Sequence, residues 1–133
     1  MQMSSSEVRV ADSDACPVKL VDPDRVAAVR ARLVSPDDAS RLADQFKLLG
    51  DPTRTRLLCA LLEAGELCVC DLAETVGVPE STASQALRLL RAAHIVRTRR
   101  DGRMIHYSLA DSHVRLLLDL SLEHLRHDHG GER

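Results

Sequence analysis

Residues 69–93 read VCDLAETVGVPESTASQALRLLRAA, and the fold of the chain depends on this stretch. Its first helical segment ends at Gly77, because glycine readily takes the left-handed conformation that stops a helix. After a short turn a second segment begins, in which Leu87 and Leu90 are spaced to face a core. Helix, tight glycine-containing turn and second helix together predict a helix-turn-helix. An ordinary hairpin of two helices is the alternative that this stretch alone leaves open.

The outer face of the second helix has small polar side chains and one basic side chain. Hydroxyl and amide groups reach the edges of bases, and an arginine binds either a phosphate or a guanine. We therefore expect this face to contact DNA. The candidate residues are Ser81, Thr82, Ser84, Gln85 and Arg88.

The segment that follows, IVRTRRDGRMIHYSL at residues 95–109, alternates apolar and polar residues on both sides of Asp101-Gly102. This dipeptide predicts a two-residue hairpin turn with positive φ. A hairpin beside a helix-turn-helix is a wing, and arginines near its tip can follow the DNA backbone. A solvated charged hairpin is the alternative. The wing arginines are Arg97, Arg99, Arg100 and Arg103.

Charge is concentrated in this part of a chain of 133 residues whose formal net charge is only −2. Between positions 85 and 106 six arginines stand against one aspartate, whereas the first 24 residues hold five acidic and two basic side chains. A basic segment on an otherwise acidic chain favours a nucleic-acid partner.

Composition and periodicity predict one mainly α domain with a small β part (α+β). Helices are expected from Pro23 to about Leu33, from Pro36 to Leu49 with Ser35 as N-cap, and from Thr53 to Glu63 before Gly65. We expect a flexible N-terminal arm at residues 1–21, a folded domain at 22–127 and a disordered tail at 128–133. No apolar run approaches the roughly 18 residues of a membrane span, and the N-terminus lacks a signal-peptide pattern, so we expect a cytoplasmic protein.

From about Ala39 to His127 the chain resembles the ArsR/SmtB family of metal-responsive winged-helix repressors. The resemblance lies in LLGDPTRTRLLCALL, ELCVCDLAETVGVPESTASQALRLLRAA and RRDGRMIHYSLAD, and it covers about two-thirds of the chain. It implies a winged helix-turn-helix with dimerisation helices at both ends. It also implies a homodimer that binds operator DNA in the metal-free state and releases it on binding metal.

The last helical segment, DSHVRLLLDLSLEHLRH at residues 111–127, has metal-ligand residue types near both ends. His113 and His124 would lie about 16 Å apart on one helix, so one chain cannot bring both to one ion. Two antiparallel copies would instead place Asp111 and His113 of one chain beside His124 and His127 of the other. Three imidazoles and a carboxylate suit Zn²⁺, and the spacing also resembles the interhelical zinc motif of the family. Exposed polar residues on a dimer helix are the alternative.

A second candidate metal site contains Cys68 and Cys70. Both thiolates can bind one ion only if Cys68 lies in an extended lead-in to the helix, and the helix N-terminus is expected to lower their pKa. Cys16 in the arm, of the same chain or of the other protomer, is the candidate third ligand. Soft thiolates select Cd²⁺, Pb²⁺, Zn²⁺ or trivalent arsenic, and ELCVCDL resembles the signature of the cadmium, lead and arsenic sensors. The alternative is that the pair has no metal role, and Cys59 is expected in the core.

An enzyme is the less favoured class. A zinc hydrolase needs an open coordination position, whereas the Asp/His₃ set would be filled by protein ligands, and no Ser/His/Asp or GxGxxG pattern is present. The sequence thus predicts a repressor whose ligand is Zn²⁺, with Cd²⁺ or Pb²⁺ as alternatives. A repressor that responds to arsenite or to thiol oxidation through Cys68 and Cys70 is the second hypothesis.

Overall fold

The computed structural model describes residues 21–131, with side chains described as far as residue 127. It divides into two compact units, Met1–Ala39 and Ser40–Arg133. Within the described residues, no helix is long and apolar enough to cross a membrane. The elements in chain order are α1 (Pro23–Arg32), α2 (Pro36–Leu49), α3 (Pro52–Ala64), β1 (Leu67–Cys68), α4 (Val69–Val76), α5 (Glu80–Ala92), β2 (Val96–Asp101), β3 (Met104–Leu109) and α6 (Ser112–Gly131).

The first unit contains α1 and the start of α2, which continues into the second unit. Asp22 caps α1 by accepting a hydrogen bond of 3.0 Å from the backbone N–H of Arg25. Ser35 Oγ accepts a hydrogen bond of 3.1 Å from the backbone N–H of Asp38, which confirms the predicted N-cap of α2. Local capping signals therefore define both helix starts.

In the second unit, an aspartate marks where α3 begins, and glycines mark where α3 and α4 end. The Asp51 carboxylate accepts a 3.0 Å hydrogen bond from the backbone N–H of Arg54 and caps α3, which begins at Pro52, one residue earlier than the sequence pattern indicates. Gly65, with a φ of 85°, ends α3. Gly77 ends α4 in the left-handed conformation, with φ 73° and ψ 38°, as predicted.

The core is formed mainly by leucines from three helices. Their fully buried members are Leu57, Leu58, Leu61, Leu72, Leu87 and Leu90. Helices α4 and α5 are joined by the turn at Gly77, and both pack on α3 through these leucines. The predicted helix-turn-helix is therefore confirmed.

A three-stranded antiparallel sheet follows the helix-turn-helix, in the order β1–β3–β2. The hairpin of β2 and β3 is the predicted wing, so the predicted fold class, a mainly α winged helix-turn-helix, is confirmed. The edge strand β1 pairs Leu67 with Tyr107 and Cys68 with His106. This strand was not predicted, and it joins the segment before α4 to the wing.

The wing turn lies one residue later than predicted. Asp101 pairs with Met104, so the two turn residues are Gly102 and Arg103 rather than Asp101 and Gly102. Gly102 has a φ of 63°, whereas among the described non-glycine residues only His94 has a positive φ. A glycine with positive φ only at the first turn position is the pattern of a type II′ turn.

The long helix α6 faces two environments. Leu118 is 8% exposed and packs against the core, whereas other apolar side chains of the helix lie in solvent in the single chain. The exposed ones include Leu116, Leu117, Leu120 and Leu125. The helix continues to Gly131, four residues past the predicted domain limit at 127. The dimerisation role of the terminal helices and the limits of arm and tail stay predictions.

We predict that Leu87→Ala lowers the free energy of unfolding by about 2–5 kcal/mol, because a fully buried leucine leaves a cavity. Leu89 lies on the same helix but is 51% exposed, so Leu89→Ala should change the free energy of unfolding by only about 0.5 kcal/mol. Urea unfolding at one fixed protein concentration measures both variants. Equal losses in the two variants would contradict the described packing of α5.

Candidate DNA-binding face and metal-ligating side chains

Helix α5 presents its polar side chains opposite its buried face. Ala83, Leu87 and Leu90 face the core, and the predicted DNA-binding residues lie on the other side of the helix. Ser84 is half-buried, and its hydroxyl oxygen accepts a 3.5 Å hydrogen bond from Arg88. The remaining members of the set are exposed: Ser81, Thr82, Gln85 and Arg88.

An open cleft lies between α5 and the start of α3. Thr82, Gln85 and Arg88 line it together with Thr53 and Arg54. Arg54 is held inside the fold, because its Nε donates a 2.7 Å hydrogen bond to the carbonyl oxygen of Leu48. No sequence motif pointed to Thr53, whose position beside the polar face of α5 follows only from helix packing.

The four wing arginines do not have equivalent surroundings. Arg97 Nε donates a 3.4 Å hydrogen bond to Ser108 Oγ, and Arg99 binds the carboxylate of Glu66. The side chains of the other two, Arg100 and Arg103, are exposed and have no hydrogen bond or ion pair with any residue in the described part of the chain. Two of the four arginines predicted to bind phosphate thus have no competing side-chain partner among the described residues.

The Glu66–Arg99 ion pair is bidentate, with Nε···Oε2 at 3.0 Å and the second nitrogen–oxygen distance at 2.8 Å. The hydrogen bond from Arg99 lowers the pKa of Glu66, and the charge of Arg99 adds to the effect. The hydrogen bond to Glu66 in turn raises the pKa of Arg99. Both groups therefore stay charged at neutral pH. Sequence reasoning missed this pair because its members are 33 positions apart.

Cys68 and Cys70 lie together at the start of α4. Cys68 is the extended residue before the helix, with φ −80° and ψ 168°, and Cys70 is the second helical residue. Their sulfur atoms are 4.0 Å apart. Cys68 is buried and Cys70 is exposed, so the pair is open to solvent on one side. This is the backbone arrangement that two thiolates on one ion require.

The pKa of the Cys70 thiol is raised, so the prediction that the helix N-terminus lowers it is wrong for this residue. The main cause is its hydrogen bond with Cys68, followed by the charges of Cys68 and Glu80. A metal that binds Cys70 as thiolate must therefore displace a proton.

Of the two remaining cysteines, the structure describes one. Cys59 in α3 is half-buried rather than a full core residue, and burial raises the pKa of its thiol. Cys16, the predicted third thiolate ligand, lies outside the described residues.

Asp111 is the N-cap of α6 as well as a candidate ligand. Its Oδ1 accepts hydrogen bonds of 3.0 Å from the backbone N–H groups of His113 and Val114. These bonds, the one from Val114 first, lower the pKa of Asp111. His113 Nδ1 is 3.7 Å from the same oxygen, and the His113 side chain is 92% exposed. The second carboxylate oxygen has no partner among the described residues.

His124 and His127 lie one turn apart near the other end of α6. Both are exposed, and both line a shallow groove with Glu63 of α3. Between residues 21 and 127, no three His, Cys, Asp or Glu side chains lie close enough to hold a metal ion within one chain. The close donors occur as pairs, namely Cys68 with Cys70 and Asp111 with His113.

Comparisons with known proteins decide the family. Residues 51–98, from the N-cap of α3 into β2, match the family described as bacterial regulatory protein, arsR family. The transcriptional repressor SmtB homolog of Synechocystis sp. (strain ATCC 27184 / PCC 6803 / Kazusa) is 44% identical over 111 residues, which cover 84% of this chain and 83% of that protein. This chain belongs to the ArsR family.

Two further relatives extend the comparison. The cadmium resistance transcriptional regulatory protein CadC homolog of Staphylococcus aureus is 36% identical over 115 residues, covering 85% of this chain and 93% of that protein. A solution structure of a homodimeric winged helix-turn-helix DNA-binding domain from Mycobacterium bovis matches with a TM-score of 0.65 and 28% identity, covering 71% of this chain and 90% of that one. This ArsR-family chain is therefore a DNA-binding transcriptional repressor and not an enzyme.

Proposed function

We propose that this ArsR-family repressor senses a metal ion. Its homodimer binds operator DNA in the metal-free state and releases it when Zn²⁺ binds, with Cd²⁺ or Pb²⁺ as alternative ligands. The observation that supports this most directly is the presence of two close donor pairs, Cys68 with Cys70 and Asp111 with His113. Each pair supplies half of a four-coordinate site.

Exposed leucines on α6 support the homodimer. Four of them are between 41% and 56% exposed in the single chain, although leucine is among the residues most often buried. The matched domain from Mycobacterium bovis is described as homodimeric. A second copy of α6 packed on this face would cover the leucines and bring opposite helix ends together.

The proposed zinc site uses both ends of α6. Asp111 and His113 of one chain would bind the ion with His124 and His127 of the second copy. The donors fit this role because Asp111 retains one carboxylate oxygen outside its capping bonds and the His113 ring is almost fully exposed. A carboxylate and three imidazoles fill the coordination sphere of zinc, so the ion acts structurally.

The thiol pair also fits a metal ion. Two sulfur atoms on one tetrahedral ion with bonds of about 2.3 Å are about 3.8 Å apart, and the sulfur atoms of Cys68 and Cys70 are 4.0 Å apart. Cys16 is the proposed third ligand. This chain is similar to the cadmium resistance transcriptional regulatory protein CadC homolog of Staphylococcus aureus, which supports a soft cation as the ligand of the thiols.

The DNA-binding role is assigned to α5 and the wing. The exposed polar face of α5 would enter the major groove, and Arg100 and Arg103 would bind phosphates. Thr53, which lines the cleft beside α5, joins this face. In a dimer, two such faces would meet half-sites of an inverted repeat.

We predict that Arg103→Gln weakens binding of the metal-free protein to all duplexes and lowers the slope of log affinity against log salt by about 0.9, because one phosphate contact is lost. Gln85→Ala should instead reduce discrimination between operator and scrambled duplexes, with little change in slope. Titration of labelled duplexes at several salt concentrations measures both effects. An unchanged slope in Arg103→Gln would exclude Arg103 as a phosphate ligand, and an unchanged slope in Arg100→Gln as well would exclude the proposed contact between the wing and phosphate.

We predict that Asp111→Asn and His124→Ala each abolish release of DNA by zinc while leaving metal-free binding intact. Asparagine is as good an N-cap as aspartate, so the first variant removes the charged ligand and keeps the helix start. Asp119→Asn, an exposed change on the same helix, is the control and should release normally. A coupling of about 1–3 kcal/mol corresponds to a 5- to 150-fold change in DNA affinity. Full zinc release in both variants would transfer the regulatory role to the thiol pair.

We predict that Cd²⁺ added to reduced protein gives a sulfur-to-metal charge-transfer absorption band. Cys68→Ser and Cys70→Ser should abolish the band, and Cys16→Ser should diminish it. Cys59→Ser is the control and should keep the full band, since Cys59 belongs to α3 and not to the thiol pair. A band that does not depend on Cys16 would exclude the arm from the site.

A repressor that responds to arsenite or to thiol oxidation is the second candidate, because it would use the same close pair of sulfur atoms. Reversible oxidation that lowers DNA affinity in rigorously metal-free protein would favour a repressor that responds to thiol oxidation. Release of DNA by arsenite without any response to Cd²⁺ would favour a repressor that responds to arsenite.

A further inference from the structure

The Glu66–Arg99 ion pair connects the two outer strands of the sheet. Glu66 directly precedes β1, and Arg99 lies on β2. The two strands do not touch, because β3 lies between them. The carboxylate nevertheless accepts two hydrogen bonds from the guanidinium group, at 3.0 and 2.8 Å. The side chains thus bridge the width of the central strand.

The pair lies on the face of the sheet that points away from the core. Val96 and Leu109 are paired across the hairpin and are both buried. Because side chains alternate along a strand, Arg99, three positions after Val96, points to the opposite face. The side chains of Arg99 and Glu66 are 55% and 36% exposed. Glu66 occupies the edge of the guanidinium group formed by Nε and one terminal nitrogen. DNA phosphate could therefore bind this bidentate edge only in competition with Glu66.

We infer that Glu66 is a positioning residue for DNA binding, which holds Arg99 in an internal ion pair and keeps it from the phosphate backbone. This inference rests on the proposed contact between the wing and DNA. In the metal-free protein the wing then offers Arg100 and Arg103 to phosphate, and Arg99 contributes only when its pair with Glu66 opens.

The competition is between two ligands of the same kind. Carboxylate and phosphate both accept bidentate hydrogen bonds from arginine. An exposed ion pair of this type changes an equilibrium by about two- to fivefold. Loss of Glu66 should therefore give a measurable gain in DNA affinity, and the gain should require Arg99.

The experiment measures the affinity of the metal-free full chain for one operator duplex at several salt concentrations. The variants are Glu66→Gln, Arg99→Gln and the double variant, with Arg103→Gln and Glu74→Gln as references. Glu74 is an exposed carboxylate on α4, so it reports the general effect of removing one negative charge.

Glu66→Gln should bind DNA about two- to fivefold more tightly than wild type, with a salt slope steeper by about 0.9. Arg99→Gln should lower the slope less than Arg103→Gln in the wild-type background. In the Glu66→Gln background, Arg99→Gln should lower it by about 0.9, because the freed arginine has become a phosphate ligand. Such non-additivity is the signature of two residues that act through one contact.

Exchanging the charges, as Glu66→Arg with Arg99→Glu, restores an ion pair and should return the slope to the wild-type value. If Glu66→Gln proves poorly folded, Arg99→Gln in the wild-type background keeps the test informative, because its slope should fall less than that of Arg103→Gln. A gain in Glu66→Gln equal to that in Glu74→Gln, or one that persists in full without Arg99, would overturn the inference. If Arg103→Gln and Arg100→Gln both leave the slope unchanged, the proposed wing contact fails and the inference fails with it.

Discussion

Burial of the leucine core is the constraint on which the rest of the structure depends. Leu87 and Leu90 of α5 are completely buried against leucines of α3 and α4. Rotating α5 about its axis would expose them, at a cost of about 1.5–3 kcal/mol for each side chain. The rotation of the helix is therefore fixed by its buried face. The hydrogen bond between Ser84 and Arg88 on the opposite face lies within the helix, so it does not determine that rotation.

The same core explains which parts of the fold the sequence could predict. Helix starts and ends were readable because caps such as Ser35 and stop glycines such as Gly77 act locally. The wing turn was misplaced by one residue because its position depends on register, and register depends on which strand residues are buried, here Val96 opposite Leu109. The two-residue strand β1 is too short to show any alternation at all.

Some features of the candidate sites could also be predicted from the sequence, whereas others could not. Cys68 with Cys70 and Asp111 with His113 are two positions apart, so spacing alone indicated them. The capping role of Asp111 could also have been predicted, since aspartate before a helix is a common N-cap. The partner of Arg99 could not, because Glu66 is 33 positions away and the two meet only when β1 joins the sheet. The raised pKa of Cys70 likewise depends on the approach of the Cys68 sulfur atom to within 4.0 Å.

The arrangement of donors in pairs has a physical consequence for the proposed metal sensing. A closed zinc site needs four ligands, and no more than two lie together in residues 21–127 of one chain. At α6 the missing pair would belong to a second copy, so zinc would bind the dimer and not the monomer. Binding of that kind stabilises the dimer by mass action. Zinc affinity at this site must then rise with protein concentration, whereas a thiol site completed by Cys16 of the same chain would bind independently of it.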